Sequence, residues 1–219
     1  MLKLDKAAIL SALDHTLLKP QAGAADYQAF FQAVRDIPVA SVCIPPNRVR
    51  AAQAALEGKN KICTVIGFPN GYQTPAVKAF EAKTAVAEGA DEIDMVVCIG
   101  DVLSRDKDRL TDEVRRVREA VPEALLKVII ETGALFPDQI RWLCEILPPC
   151  GVDFLKTSTG FNFPGASLEA VHIMRQALPE TIGIKASGGI QSLEEAMAYL
   201  DAGASRIGAS RLLAACQSL

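Results

Sequence analysis

Eight short apolar segments, separated by stretches of helical periodicity, constrain the fold of this chain more than any other feature. They are rich in β-branched residues and lie at residues 15–18, 39–44, 62–68, 92–98, 126–132, 154–159, 183–187 and 206–210. Strands that alternate with helices form right-handed βαβ crossovers, which build a parallel sheet. Eight such units favour a closed barrel over an open, doubly wound sheet. The sequence therefore predicts an α/β fold, a single-domain (β/α)8 TIM barrel over residues 1–219 with a short N-terminal helix.

The glycines before predicted strands 4, 6 and 8 support the same interpretation. The segments EGADEIDM (88–95), CGVDFLKT (150–157) and AGASRIGA (202–209) share one order: a glycine, a small or apolar residue, then a strand. Glycine commonly ends a helix because it adopts the left-handed conformation without a steric penalty. We predict that Gly89, Gly151 and Gly203 end helices in this way.

Charge and cysteine usage exclude several classes of partner. The net charge is −3 and the pI is near 5.5, so the chain lacks the cationic excess that binds nucleic acid or anionic membranes. No apolar run approaches the roughly 18 residues of a membrane span, and the N-terminus does not resemble a secretory signal. The six cysteines form no CxxC motif and suit free thiols in a reducing compartment. We expect a cytoplasmic protein.

Four predicted strands each carry a charged residue where a buried barrel strand should be apolar. These residues are Asp94, Lys127, Lys156 and Lys185 in strands 4 to 7. Burying one unpaired ion costs several kcal/mol. A structural ion network, or lysines whose ammonium groups reach solvent, would explain one such residue. Three cations around one carboxylate are a poor structural pairing, but they are well suited to shifting pKa values.

This arrangement indicates covalent catalysis by a lysine. A lysine amine is nucleophilic only when neutral, and burial together with a nearby cation disfavours the ammonium form. Lys156 precedes the hydroxyl-rich TSTG, which marks a strand end where barrel enzymes place catalytic groups. We therefore predict Lys156 as the nucleophile, Lys185 as the neighbouring cation and Asp94 as the group that moves protons. Lys127 lies earlier in its strand and is predicted to support them electrostatically.

Glycine-rich turns after strands 6, 7 and 8 predict a phosphate site. In barrels of this type phosphate is often bound by the loops after strands 7 and 8 and by a helix N-terminus. Ser192 is the predicted N-cap of the helix that follows SGGIQS. The residues predicted to bind phosphate or substrate are Thr159, Gly160, Gly188, Gly189, Gly208 and Ser210.

The remaining polar residues are less informative. His15 and His172 are the only histidines and have no clustered partner, so no metal site is predicted. Asp14 and Thr16 either point into the barrel or belong to a turn between the first helix and strand. Cys43, at the end of an apolar strand, is interpreted as a buried thiol beside the site. Asp14, Thr16 and Cys43 are predicted to support the site.

The lysine-bearing segments are specific enough to show a family resemblance. The order LDHTLLKP, SVCIPPNRV, VIGFPNGYQTPAVKAFEAK, EIDMVV, LKVIIETGAL, VDFLKTSTGF, GIKASGGI and RIGAS resembles the deoxyribose-phosphate aldolases over about residues 12–211. The resemblance implies a Schiff base on Lys156, perturbed by Lys185, with Asp94 handling protons. It implies reversible cleavage of 2-deoxy-D-ribose 5-phosphate to acetaldehyde and D-glyceraldehyde 3-phosphate without a metal or organic cofactor, in deoxyribose phosphate catabolism.

The chain departs from the family pattern in two loops. Arg211 follows Ser210 where a second serine is common, and FNFPGAS (161–167) replaces a glycine-rich run. Two alternatives remain open: a Schiff-base aldolase for another phosphorylated sugar, and a non-catalytic barrel that binds a sugar phosphate. The expected partners are small phosphorylated sugars and aldehydes, with no nucleic acid and no membrane. The sequence leaves the oligomeric state open, a homodimer included.

Overall fold

The computed structural model of the protein describes residues 5–218. Eight parallel strands close into a barrel in which each strand pairs with its neighbours in chain order and β8 pairs with β1. The predicted (β/α)8 barrel is therefore confirmed. The strands are β1 Leu13–Thr16, β2 Ser41–Ile44, β3 Ile62–Ile66, β4 Glu92–Val96, β5 Leu125–Ile129, β6 Phe154–Lys156, β7 Gly183–Ser187 and β8 Arg206–Ala209.

The helices lie outside the barrel and connect its strands. The predicted N-terminal helix is α1, and the Asp5 side chain caps it by accepting a hydrogen bond from the backbone of Ala8. The α-helices are α1 Lys6–Ala12, α2 Ala24–Val34, α3 Val49–Leu56, α4 Pro75–Ala87, α5 Ile99–Leu103, α6 Lys107–Ala120, α7 Pro137–Ile146, α8 Leu168–Ala177, α9 Leu193–Asp201 and α10 Leu212–Gln217. None of these helices, within the part of the chain described, has the length and apolar character of a membrane span.

Every predicted segment overlaps a strand, but the boundaries differ. β1 begins at Leu13, two residues before the predicted segment 15–18. β6 ends at Lys156, whereas the prediction extended to residue 159, because the hydroxyl-rich residues leave the sheet. The three predicted helix-ending glycines are confirmed, with φ of +109° at Gly89, +81° at Gly151 and +107° at Gly203. These three joints set where β4, β6 and β8 begin.

The core has an apolar layer and a polar interior. Alternate strand residues point to opposite faces, so Ile93 and Met95 of β4 pack against the helices. Each fully buried aliphatic side chain of this outer layer contributes roughly 1.5–3 kcal/mol to stability. Glu92 and Asp94, two residues apart on the same strand, point into the barrel instead. The inner face therefore concentrates the charged residues of the strands at one place.

Candidate active site

The four charged residues predicted from the sequence meet inside the barrel, around the carboxylate of Asp94. Its Oδ1 accepts a hydrogen bond from Lys127 Nζ at 2.9 Å. Its Oδ2 accepts from Lys156 Nζ at 2.8 Å and from Lys185 Nζ at 2.6 Å. Strand register explains the meeting, because Asp94 pairs with Lys127 and Lys156 pairs with Lys185 on adjacent strands.

The charged cluster is larger than predicted, because three further residues join it. Asp14 of β1 forms an ion pair with Lys185 and lies 3.0 Å from Arg206 Nε. Glu92 of β4 accepts from Lys127 at 2.6 Å and from Arg206 Nη2 at 2.5 Å. The three lysines do surround Asp94 as expected, but the expectation of a single anion was incomplete. The cluster contains four cations and three carboxylates, which leaves one surplus positive charge when all seven are ionised.

The network holds the carboxylates of Asp94 and Asp14 ionised. Burial alone would raise the pKa of Asp94, but the ammonium groups of Lys127, Lys156 and Lys185 outweigh it and hold that pKa well below its usual value. Burial likewise would raise the pKa of Asp14, yet Lys185, Lys127 and Arg206 lower it from 3.8 to about 2. Both groups are therefore anionic at neutral pH.

Lys127 and Lys185 are correspondingly held as cations. Burial alone would lower the pKa of Lys185, but the carboxylates of Asp14 and Asp94 raise it above its usual value. Burial also acts against charge on Lys127, and Asp94 again reverses the effect and raises its pKa well above normal. Both side chains are fully buried. Neither lysine is therefore poised to become the neutral nucleophile.

Lys156 differs from these two lysines in its surroundings. It is the last residue of β6, and its side chain borders an open cavity of about 240 Å³ on the carboxyl-terminal side of the barrel. Within the described part of the chain, Asp94 is the one hydrogen-bond acceptor that its ammonium contacts. Lys156 is thus the lysine of the cluster that a small molecule in the cavity can reach.

Two cysteine thiols lie beside Asp94 inside the barrel. Cys43 and Cys63 are register partners on β2 and β3, and both are fully buried. Cys63 Sγ donates to Asp94 Oδ1 at 3.2 Å, and Lys127 Nζ donates to Cys63 Sγ at 3.3 Å. Burial raises the pKa of the Cys63 thiol well above its usual value. The predicted supporting residue Cys43 therefore packs beside the cluster and does not border the cavity.

These thiols and Asp94 could in principle ligate a metal, since their donor atoms lie within 4.8 Å of one another. The carboxylate oxygens, however, already contact three lysine ammonium groups. A dication at this point would be repelled by these cations at close range. The residues do not suit a metal centre.

The cavity above Lys156 brings the predicted phosphate residues together. Gly160, Gly188 and Gly189 have φ of +80°, +89° and +81°, a conformation that favours glycine. Ser192 caps α9 as predicted, because its hydroxyl accepts from the backbone of Glu195. All six predicted phosphate or substrate residues border this cavity, together with Thr16, Lys156 and Ser187.

Gly208 lies in the cavity wall for a different reason. It is within β8 and does not have a positive φ. A Cβ at this position would lie 2.8 Å from Ser187 Cβ and 3.1 Å from Lys185 Cε. The absence of a side chain at Gly208 therefore makes room for the Lys185 side chain.

The predicted supporting residues of β1 belong to the strand and not to a turn. Asp14 is fully buried in the charged cluster, and Thr16 stands at the cavity edge with its hydroxyl donating to the Asp14 carbonyl at 2.8 Å. His15 points away from the cluster and stacks on Phe30 with ring centroids 4.4 Å apart. Burial lowers the pKa of His15 from 6.5 to about 4, so it is neutral at pH 7.

This geometry agrees with the comparison with known families. The model of a family described as DeoC/LacD family aldolase matches residues 8–218. The chain belongs to the DeoC/LacD family of aldolases. Since the match runs from α1 to the end of α10, it includes every charged residue of the cluster.

Relatives within the DeoC/LacD aldolases cover nearly the whole chain. A deoxyribose-phosphate aldolase of Clostridioides difficile (strain 630) is 46% identical over 204 residues, which are 93% of this chain and 93% of that protein. A solved aldolase named QR15 has a TM-score of 0.92 at 35% identity and covers 96% of this chain and 95% of its own. A tetrameric deoxyribose phosphate aldolase of Aeropyrum pernix has a TM-score of 0.87 at 30% identity, with coverage of 98% and 92%.

Three charged residues in or near this site of the DeoC/LacD aldolase barrel were missed from the sequence. Glu92 and Arg206 are the first residues of β4 and β8, where a charged residue is usual and gives little signal. The two-residue spacing of Glu92 and Asp94 could have placed both inside the barrel. Glu131 follows β5 with φ +55° and ψ +60°, a left-handed conformation that costs a non-glycine residue about 1–3 kcal/mol. Nothing in the sequence IIETG signals that conformation.

Proposed function

We propose that this aldolase reversibly cleaves 2-deoxy-D-ribose 5-phosphate to acetaldehyde and D-glyceraldehyde 3-phosphate through a Schiff base on Lys156. The observation that carries the proposal is the placement of one reachable lysine amine between Asp94 and a glycine-lined cavity. The shared family and the name of the C. difficile relative support the substrate. The reaction belongs to the degradation of deoxyribose phosphate.

The reaction begins when Lys156 transfers a proton to Asp94 and attacks the aldehyde carbon C1 of the open-chain sugar. The carbinolamine formed then loses its hydroxyl as water with a proton returned by Asp94, which leaves a cationic iminium. Asp94, ionised again, accepts the C3 hydroxyl proton as the C2–C3 bond breaks, and the electron pair of that bond moves to the iminium to give an enamine. Glyceraldehyde 3-phosphate leaves, Asp94 returns the proton to C2, and water hydrolyses the resulting iminium to acetaldehyde and free Lys156.

The role proposed for Asp94 follows from its changing surroundings. In the resting site three ammonium groups hold it ionised. When the Lys156 nitrogen becomes neutral, one of those charges is gone and the carboxylate accepts a proton more readily. When the iminium forms, the positive charge returns and again favours the carboxylate. Asp94 can therefore accept and return one proton at the steps that need it.

Lys185 and Lys127 are proposed to act as fixed charges. Lys185 contacts the same Asp94 oxygen as Lys156, so its ammonium disfavours a second positive charge beside it. Asp14 and Glu92 in turn hold Lys185 and Lys127 in place from the opposite side. Thr16 and Cys43 are proposed to support the geometry of the site and not to react.

The phosphate is proposed to bind at the turns after β6, β7 and β8. There the backbone N–H groups of Gly188 and Gly189 and the hydroxyl of Ser210 can reach an anion. Arg211 is exposed next to this group. Cleavage is proposed to need no metal or organic cofactor, because the iminium itself accepts the electrons of the broken bond. A cytoplasmic location and a homodimer both stay predictions.

Reductive trapping tests this proposal. Acetaldehyde and borohydride, added in the presence of EDTA, should attach one reduced two-carbon unit, and peptide mass mapping should find it at Lys156. Turnover should also survive prolonged chelation. Labelling at Lys127 or Lys185 alone would contradict the assignment of the nucleophile, and loss of turnover restored by a divalent ion would contradict a metal-free reaction. No adduct, with tight binding of the sugar phosphate, would indicate a non-catalytic barrel.

A further inference from the structure

Glu131 stands out because it combines a rare backbone conformation with a buried charge. It lies two residues after β5, has positive φ and is 1% exposed. Within residues 5–218 no lysine, arginine or histidine nitrogen lies in ion-pair distance of its carboxylate. A strained residue with a buried charge persists where the surrounding contacts require it. The residues that the Glu131 carboxylate contacts therefore indicate why this conformation is kept.

Both carboxylate oxygens of Glu131 accept hydrogen bonds from a single residue. Thr159 donates its backbone N–H to Oε1 at 3.1 Å and its hydroxyl to Oε2 at 2.6 Å. The left-handed backbone of Glu131 points the carboxylate from the end of β5 to the turn that follows β6. One acidic side chain thus fixes both the backbone and the hydroxyl orientation of Thr159.

The constraint extends along this turn. Since the Thr159 hydroxyl gives its proton to Glu131, its oxygen is free to accept the backbone N–H of Phe161 at 3.2 Å. The peptide segment between Lys156 and Phe161 is therefore held at both ends, by the strand and by this hydrogen-bonded chain. Thr159, Gly160 and Phe161 all border the cavity that contains Lys156.

The same turn contacts the turn after β7. A Cβ on Gly160 would lie 3.2 Å from the Cα of Gly188, and a Cβ on Gly188 would lie 3.1 Å from the Cα of Gly160. The two backbones are thus in direct contact with no side chain between them. A displacement at Thr159 would move Gly160 against Gly188, which belongs to the proposed phosphate site.

We propose that Glu131 is a positioning residue that fixes the Thr159–Gly160 turn for binding the phosphorylated end of the substrate. The proposal rests on the phosphate site given under the proposed function. Glu131 holds Thr159 by two hydrogen bonds, whereas among the described residues it forms neither an ion pair nor a hydrogen bond with Lys156, whose charge acts on it only at longer range. Its loss should therefore impair recognition of the sugar phosphate and leave formation of the Schiff base intact.

The test compares two substrates in four single variants and in the double variant Glu131→Met/Thr159→Val. Glu131→Met removes both acceptors at similar length, and Glu131→Gln keeps one. Thr159→Val removes the hydroxyl and leaves the Glu131 backbone unchanged, so it remains informative if the Glu131 variants do not fold. Glu123→Gln, which changes an exposed glutamate before β5, is the matched control. KM and kcat are measured for 2-deoxyribose 5-phosphate and for unphosphorylated 2-deoxyribose, and acetaldehyde trapping is measured at Lys156.

Glu131→Met and Thr159→Val should each raise KM for the phosphorylated sugar about tenfold, with Glu131→Gln milder. KM for unphosphorylated 2-deoxyribose and acetaldehyde trapping should stay within about twofold. Because the two residues act as one unit, the double variant should be no worse than the poorer single variant. Unchanged KM, equal effects on both sugars, or additive losses would overturn the proposal. Absence of trapping in the unmodified enzyme would instead contradict the proposed function.

Discussion

Lys78 and Lys156 are both buried lysines in contact with a carboxylate, yet their surroundings give them different capacities. Lys78 of α4 donates to the carbonyls of Gly71 at 2.5 Å and Val96 at 2.7 Å, and it forms an ion pair with Glu113 of α6. Its three ammonium protons are thus all accepted. Lys156 contacts Asp94 alone among the described residues and borders a cavity.

Burial alone therefore does not distinguish the proposed nucleophile from a structural lysine. The two differ in that Lys156, among the described residues, has one hydrogen-bond acceptor for its ammonium group and lies beside an open cavity. The three acceptors of the Lys78 ammonium lie on different parts of the chain and fix the position of its side chain. Lys78 therefore ties the loop before α4 to the end of β4. Lys156 shares its single carboxylate with two other ammonium groups, those of Lys127 and Lys185.

The largest expected effect is on turnover, and it distinguishes Asp94, the partner of Lys156, from Glu113, the partner of Lys78. Asp94→Asn should lower turnover about 10²–10⁴-fold, because the amide is nearly isosteric but cannot carry protons. Glu113→Gln should leave turnover within about twofold and lower the free energy of unfolding by about 3 kcal/mol, since it leaves a buried cation without its counter-ion. Steady-state kinetics and urea unfolding of both variants measure this. Near-normal turnover in Asp94→Asn would make Asp94 a structural counter-ion like Glu113.

The next effect tests whether a competing cation makes Lys156 reactive. Lys185→Leu removes that cation, so acetaldehyde trapping at Lys156 should fall at about pH 7 and partly recover at about pH 9–10. Each pH unit by which the trapping profile moves upward corresponds to a roughly tenfold smaller fraction of neutral Lys156 at a fixed pH. The measurement is the pH profile of the trapped adduct.

Two variants control this experiment. Lys185→Arg keeps the charge and should trap acetaldehyde normally at neutral pH. Slow turnover in that variant would add a proton-relay role to Lys185. Lys83→Leu, which removes an exposed lysine, should leave the profile unchanged. If Lys185→Leu traps with the profile of the unmodified enzyme, burial or Lys127 must explain the reactivity instead.

A smaller effect concerns the acid stability of the charged cluster. Asp14 has a folded pKa of about 2 against an ordinary 3.8, so its contribution is full above pH 3.8 and is lost as the pH falls toward 2. Between about pH 5 and pH 2 the unmodified protein should lose on the order of 2 kcal/mol more unfolding free energy than Asp14→Asn. Urea unfolding at both pH values measures the difference. Asp112→Asn, which changes an exposed carboxylate, should lose as much unfolding free energy between the two pH values as the unmodified protein. An equal loss in Asp14→Asn would contradict the stabilising role of Asp14.

The smallest effect separates recognition from chemistry. Ser210→Glu places a carboxylate where the phosphate is expected, and the repulsion should raise KM for 2-deoxyribose 5-phosphate about tenfold. Unphosphorylated 2-deoxyribose should be much less affected. Ser205→Glu introduces the same charge before β8, at the opposite end of the barrel, and should change neither KM. Equal changes for both sugars in Ser210→Glu would contradict the placement of the phosphate.

The sequence predicts the barrel and the centre of the site because both depend on periodicity and on misplaced charge. Lys127, Lys156 and Lys185 were recognisable because each interrupts an apolar strand. Asp14 was left between two interpretations because the predicted first strand began one residue after it. A local pattern sets a strand boundary less firmly than barrel closure does, since β1 is also paired with β8.

The other omissions concern contacts between residues far apart in the chain. Arg206 meets Glu92 across 114 residues of sequence, and only closure of the barrel brings them together. The positive φ of Glu131 depends on a partner 28 residues away and not on its neighbours. Gly208 borders the cavity as predicted, but its contact with the Lys185 side chain could not be predicted, because that contact requires the register of β7 and β8.

The contact at Gly208 has a consequence for protein engineering. A side chain at position 208 has to occupy space already filled by Ser187 and Lys185. The accessible substitutions at 208 therefore depend on what stands at 185 and 187, and a library that varies one position at a time would reject nearly all of them. Combined randomisation of the three positions should recover folded barrels that no single change can reach, and in those barrels small residues at 185 or 187 should accompany larger ones at 208.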